Sequence, residues 1–135
     1  MSEQTPPKLL INGRVVVWQF VDHLPEAVRW YSDTFGLASS DNIGHAYFFP
    51  INDNTTLALS VSEMNGKTIG APGSEALDLQ CDDIFHTHKA LLEKGVRVEP
   101  EMRNPAWIYH EFFVWDPEGN RIRLHGFVRD PHVEA

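Results

Sequence analysis

The stretch Glu111–Leu124, EFFVWDPEGNRIRL, decides the fold of this 135-residue chain. Two runs rich in aromatic and β-branched residues flank Asp116-Pro117-Glu118-Gly119. That tetrapeptide fits a type I turn position by position, with Asp first, Pro second and Gly fourth. Strands over Tyr109–Trp115 and Asn120–Phe127 are therefore expected to form a hairpin. Side chains alternate across a strand, so Ile122 and Leu124 share one face while Arg121, Arg123 and His125 share the other. Tyr109–Trp115 is apolar on both faces, which leaves the facing of Glu111, Phe113 and Trp115 open.

Reading outward, the same order of signals occurs twice. Upstream of the hairpin lies an expected strand at Glu75–Cys81. Asp82-Asp83 then opens a helix whose stripe is Ile84, Phe85, His88, Leu91 and Leu92, closed by Lys94-Gly95, and a short strand follows at Val96–Val98. In the first half, a strand at Arg14–Val21 leads to Asp22, an acceptor for the first free N–H groups of a helix, and to Pro25, suited to a first turn. Leu24, Ala27, Val28, Tyr31 and Phe35 recur at helical spacing, and Gly36 is the left-handed stop. Extended pieces are expected at Leu37–Ser39, His45–Pro50 and Thr55–Ser62, with Asn52-Asp53-Asn54 as a turn. Residues 63–74, EMNGKTIGAPGS, read as a linker. The organisation is one domain, 1–135, of α+β class. It is built as βαβββ over about 14–62, a linker over 63–74 and βαβββ over about 75–127, a period of whole-motif length. Arg129–Ala135 reads as a frayed tail.

Composition narrows the classes of partner. The chain is 42% apolar and 22% charged, enough for a sizeable interior. Its net charge of −8 gives no electrostatic footprint for nucleic acid or an anionic membrane. No run reaches the length of a membrane span, and Met1–Lys8 lacks a signal peptide's apolar centre, so a cytoplasmic location is expected. The single cysteine, Cys81, excludes an internal disulfide framework and a cysteine-cluster zinc site.

Strand parity separates two faces. Val15, Val17, Val21, Leu57, Leu59, Val61, Leu77, Leu79, Cys81, Ile122 and Leu124 form an aliphatic face for the two helices, with Gln19 the exception. Opposite them stand Val16, Trp18, Phe20, Ala58, Ala76, Asp78, Arg123 and His125, a mixture that fits a ligand pocket better than open solvent.

The paired βαβββ units, with LPEAVRWYSDTFGL, DDIFHTHKALLEKGVRV and above all EFFVWDPEGNRIRL, resemble the vicinal oxygen chelate superfamily: glyoxalase I, extradiol dioxygenases, fosfomycin-resistance enzymes and bleomycin-resistance binding proteins. The resemblance spans about Arg14 to Phe127. It implies a U-shaped mixed sheet of two modules around a ligand cavity, usually in a homodimer, with one divalent ion on the cavity face in the metalloenzymes. The four positions that hold that ion's ligands read here Val16, Ala58, Ala76 and Arg123. Aliphatic side chains offer no donor atom, and a guanidinium repels a cation. The resemblance therefore points to the metal-free, bleomycin-resistance-type binders. Their last hairpin carries a Trp, then Glu-Phe, then DPxGN followed by a non-ligand. Trp107, Glu111-Phe112, Asp116–Asn120 and Arg123 match, whereas Ile108 stands where Gly is usual.

Each candidate has a plainer role beside it. Arg123 holds an anionic or carbonyl group of a ligand, or simply pairs with Asp78 or Glu111. Trp18, Phe113, Trp107 and Tyr109 stack on a planar ligand, or fill the trough or a dimer seam. His125 has cavity parity and could act as a base. His86 and His88, two apart on a helix, do not form a metal pair. The expected binding residues are Trp18, Asp78, Trp107, Tyr109, Glu111, Phe113, Arg123 and His125, with no catalytic residue, metal or cofactor. The expected partners are a small-molecule ligand and a second copy of the chain. Two alternatives remain: an enzyme of the same superfamily with an absent or atypical metal site, and an accessory domain whose cavity is vestigial.

Overall fold

A computed structural model describes residues 10–73, 75 and 77–128. Ala76, Met1–Lys8 and the tail Arg129–Ala135 lie outside the described residues. The elements run β1 (Val15–Val21), α1 (Leu24–Phe35), β2 (Asp41–Asn42), β3 (Ala46–Pro50), β4 (Thr55–Val61), β5 (Glu63–Met64), β6 (Lys67–Thr68), β7 (Asp78–Gln80), α2 (Ile84–Glu93), β8 (Arg103–Ala106), β9 (Tyr109–Trp115) and β10 (Arg121–Phe127).

The strands form two mixed four-stranded sheets of like topology, β1-β4-β3-β2 and β7-β10-β9-β8. In each, the strand before the helix runs parallel to the last strand of its repeat: β1 beside β4, β7 beside β10. Val17 and Leu57 of the first sheet and Asp78–Gln80 of the second line one cleft of about 290 Å³, so β1–β4 and β7 face a common gap. The α+β architecture expected from the sequence is observed.

The departures are local. Leu37–Ser39 is not a strand; the pairing residues are Asp41 and Asn42, opposite Phe48 and Tyr47. The region 63–74 carries the β5–β6 hairpin, whose tip Asn65-Gly66 has positive φ at both residues, 54° and 76°. That is the conformation for which Asn-Gly is favoured. Val96–Val98 contributes only an isolated bridge from Val98 to Val114, whereas β8 pairs with β9. Pro105, which has no N–H to give, sits there on an edge strand.

Helix α1 ends as expected, with Gly36 left-handed (φ 71°) and its N–H on the Ser32 carbonyl. Its start differs from the expectation. His23 is the N-cap and gives no side-chain bond, while the Asp22 carboxylate accepts from the Ser62 hydroxyl. The N–H groups of Asp22 and His23 both go to the carboxylate of Glu118 in the DPEGN turn, His23 at 2.8 Å. Asp22 stands one residue too early to cap, and the acid from the other repeat instead fixes the two N–H groups just before the helix. At the Asp82-Asp83 start of α2 the cap is Asp83 and not Asp82, its carboxylate accepting from His86 N–H. The α2 stripe is only partly buried: Ile84 and Leu91 are covered, while Phe85 and Leu92 are exposed.

One apolar cluster draws on both repeats: Val21, Leu24, Tyr31, Phe49, Leu57 and Leu59 from the first, Ile84, Leu91, Phe112, Val114, Ile122 and Leu124 from the second. Gln19, the polar exception on the aliphatic face, donates to the buried Tyr31 hydroxyl, which donates to Asp116 Oδ2 at 2.8 Å. Asp116 also closes the predicted turn, accepting Gly119 N–H on its carbonyl and the Glu118 and Asn120 N–H groups on its carboxylate.

Candidate functional site

The parity left open in β9 is resolved by register. Phe112 and Val114 are fully buried on the helix side. Glu111 and Phe113 therefore share the opposite, helix-free face, where they meet Arg103 and Arg123.

On the first sheet that face is hydrocarbon. Register places Ala58 between Trp18 on one neighbouring strand and Phe48 on the other. The small methyl lets the two rings meet above it, edge to face with centroids 5.6 Å apart, and Ala58 itself is fully covered. Phe20 lies parallel to Trp18 at 6.3 Å. Residues 69–70 cross over Phe20 closely enough that only Gly fits at 70: any Cβ there would overlap the Phe20 ring. Val16 and Trp18 stay exposed at 44% and 39%.

On the second sheet the same face is a lattice of charge around one aromatic ring. Glu111 is buried, and each of its carboxylate oxygens takes one guanidinium, Arg123 at 2.9 Å and Arg103 at 3.0 Å. Arg103 also reaches Glu99, and Arg121 pairs with Glu75 at 2.8 Å. The guanidinium carbons of Arg121, Arg103 and Arg123 lie 4.0, 4.3 and 5.0 Å from the Phe113 centroid, within cation–π range. Asp78 stands 4.0 Å from Arg123 and is hydrogen-bonded to His125 Nδ1 at 2.6 Å. The His125 ring stacks on Tyr109 at 5.4 Å. Tyr109 lies beside Arg123 and Glu111 on this face. Desolvation and that carboxylate hold its hydroxyl above the ordinary tyrosine range, while Tyr109 raises Arg123 further. Both groups keep their ordinary protonation at neutral pH.

Trp107 sits at the tip of the β8–β9 hairpin, 64% exposed, with φ 28°. A bulky residue at positive φ is strained. The Asn104 amide stabilises the turn, donating to the Trp107 and Tyr109 carbonyls at 2.9 and 2.7 Å. Of the eight expected binding residues, the structure thus brings Asp78, Tyr109, Glu111, Phe113, Arg123 and His125 into one cluster. Trp18 lies on the other sheet's matching face, and Trp107 at the adjoining tip. Phe48, Phe20, Arg103 and Arg121 belong to the same surface. Phe20 and Arg121 carry that parity in the sequence; Phe48 was not assigned a face there, and Arg103 falls on a strand the sequence did not signal, while the arginines' stacking on Phe113 left no sequence trace.

The positions at which the family's metalloenzymes hold a divalent ion do not fit one here. Val16 and Ala58 carry no donor, and Ala58 is roofed by two rings. Arg123 is a cation committed to Glu111. Among the described residues no three His, Cys, Asp or Glu side chains converge as a ligand set. His88 is engaged elsewhere, with Nε2 on the Glu99 carbonyl at 2.8 Å. No helix among the described residues is long and apolar enough to cross a membrane.

Comparison with known proteins is consistent with this architecture. The structure of a superfamily member from Sphaerobacter thermophilus superposes with a TM-score of 0.72 at 23% identity, covering 87% of this chain and 99% of that one. A lactoylglutathione lyase from Agrobacterium tumefaciens gives 0.69 at 20% identity, over 90% and 96% of the two chains. TnmS3, an antibiotic binding protein from a Streptomyces species, gives 0.67 at 24% identity, over 90% and 100%. No curated protein matches the sequence. The family model for the Glyoxalase/Bleomycin resistance protein/Dioxygenase superfamily matches residues 13–124. With the repeated βαβββ topology and the DPEGN hairpin in place, the chain belongs to that superfamily.

Proposed function

We propose that this chain is a metal-free binding protein that holds a small planar, aromatic or antibiotic-like molecule on the helix-free face, and makes or breaks no bond in it. One observation carries the reading: at the family's ligand positions the chain presents aromatic hydrocarbon over Ala58 and a fixed, carboxylate-paired guanidinium at Arg123. Trp18, Trp107 and Tyr109 offer flat apolar surface, and Phe113 supports the arginines. Arg123, Asp78, Glu111 and His125 supply orientation through donors and acceptors. The exposed Trp107 is kept at a conformational cost, which suits a contact residue better than a packing one. Exposed Val16, Trp18, Trp107 and Phe127 offer surface for a ligand and a second copy to cover, which supports a homodimer as the working form. That one structural neighbour is named an antibiotic binding protein accords with this reading.

The test is a thermal-shift screen of planar aromatic compounds. Binding at a hundredfold excess over Kd stabilises by about 2.7 kcal/mol, a rise on the order of 10 °C for a chain of this size. No response across a broad panel rejects the proposal. A second reading rests on the Asp78–His125 contact: a carboxylate at 2.6 Å orients the imidazole as in acid–base catalysis, leaving Nε2 for a substrate. Turnover lost in His125→Ala, or a stoichiometric divalent metal in protein purified without chelator, would favour this enzyme reading over the first.

A further inference from the structure

The helix-bearing side of the sheets is incompletely closed. Between the C-terminal end of α1 and the length of α2 remains a cavity of about 550 Å³, lined by residues of both repeats. Its apolar side is formed by Phe35, Leu37, Ile51, Leu79, Leu91 and Leu124. Leu91 and Leu124 belong to the buried core, so the floor is hydrocarbon. The volume falls in the range of roughly 300–1,000 Å³ typical of small-molecule pockets.

Charge is placed unevenly along this cavity. Asp82, Asp83 and His86 stand at the N-terminal end of α2, where Asp83 is committed to the helix cap. Lys94 stands at the other end, and the ten residues of α2 set the two ends about 15 Å apart. The Lys94 ammonium donates once, to the Asp33 carbonyl at 2.6 Å, and an ammonium has three N–H groups. Between the ends, the Cys81 thiol and Thr87 line the wall. Burial pushes that thiol above its ordinary range, so it is neutral and adds to the apolar surface.

We propose that this cavity is a second ligand site, taking a compact amphipathic carboxylate with its anionic head on Lys94 and its aliphatic chain along Leu79, Leu91 and Leu124. The acids at the far end repel the head group and so fix one orientation. The site is on the opposite side of the sheets from Trp18 and Arg123, and it stands whether or not the helix-free face binds a ligand.

Cys81 is the chain's one cysteine, so its rate of reaction with a thiol-specific disulfide reagent reports occupancy. Octanoate below its micellar concentration should slow the reaction severalfold, octanol less, and octylamine least. Lys94→Gln should weaken protection by octanoate about fivefold, the scale of one partly exposed ion pair, and leave octanol unchanged. Ala90→Phe, which fills the cavity, should abolish protection by both. If that variant does not fold, the Lys94→Gln comparison decides alone. If Cys81 does not react even in the free protein, methyl shifts of Leu79, Leu91 and Leu124 in the octanoate titration serve as the readout. Octylamine matching octanoate, or Lys94→Gln leaving octanoate unaffected, overturns the carboxylate assignment. No effect of any of the three amphiphiles on labelling or methyl shifts overturns the site.

Discussion

Replacing Tyr31 by Phe removes one hydroxyl from an enclosed point where the two repeats are tied together. Tyr31 is fully buried; its hydroxyl donates to Asp116 Oδ2 at 2.8 Å and accepts from Gln19 Nε2 at 3.2 Å. Hydrogen bonds to charged groups contribute about 1.5–3 kcal/mol. Asp116 Oδ2 keeps the Asn120 amide at 2.6 Å, so the carboxylate is not stranded and the loss falls toward the lower part of that range. The expected cost of Tyr31→Phe is about 2 kcal/mol at pH 7, roughly 7 °C in Tm for a chain of this length. The same hydroxyl gives a pH signature. Desolvation, then the charge of Asp116, pushes its pKa far above the ordinary tyrosine value. The unfolded chain therefore ionises Tyr31 near pH 10 while the folded chain does not. Its contribution is intact below about pH 10 and is lost by about 1.4 kcal/mol per unit above it. The variant lacks that loss. Urea unfolding at pH 7 and pH 11 should show the gap between the two proteins narrowing by about 1.4 kcal/mol. Tyr109 and Cys81, whose values are also raised, are common to both proteins and cancel. A cost below about 0.5 kcal/mol at pH 7, or a gap that does not change with pH, would refute the reasoning.

Other substitutions probe separate links. A Cβ at Gly126 would lie 2.8 Å from Ile84 Cβ and 3.1 Å from the Cys81 carbonyl, so Gly126→Ala should cost about 1–3 kcal/mol in urea unfolding, with m unchanged. Asp83→Ala removes the α2 cap and should cost about 1 kcal/mol by the same measurement. Trp107→Asn places a residue tolerant of positive φ at the strained tip; Tm should hold or rise while the ligand-induced thermal shift shrinks. Arg123→Met should cost less than about 1 kcal/mol, because Arg123 is 40% exposed and Glu111 retains Arg103, yet it should abolish binding of a ligand that the guanidinium contacts.

Much of the fold was legible because its signals are local. The DPEGN turn, the Gly36 stop, the Asp82-Asp83 helix start and the two helical stripes each occupy a few adjacent residues. The Asn65-Gly66 hairpin was equally local, and was overlooked because the surrounding glycines read as a linker. β2 and β8 were harder to read, since two exposed polar residues and a Pro-bearing edge carry little strand signal of their own. At the candidate site, parity grouped Trp18, Asp78, Arg123 and His125 on one face. The facing of β9 needed its partners, because Phe112 and Phe113 are equally apolar neighbours.

The chain's own pattern of alternation and turns settled which side chains lie under the helices and which do not, since a period of two or of 3.6 is a property of neighbouring residues. Packing alone decided that Glu118 serves the start of α1 almost a hundred residues away, that two arginines share Glu111, and that Trp18 meets Phe48 across Ala58. Those contacts cross between strands and between repeats, whose pairing and facing must be in place before the side chains can meet. Their energies depend on distances that no local spacing of residue types encodes.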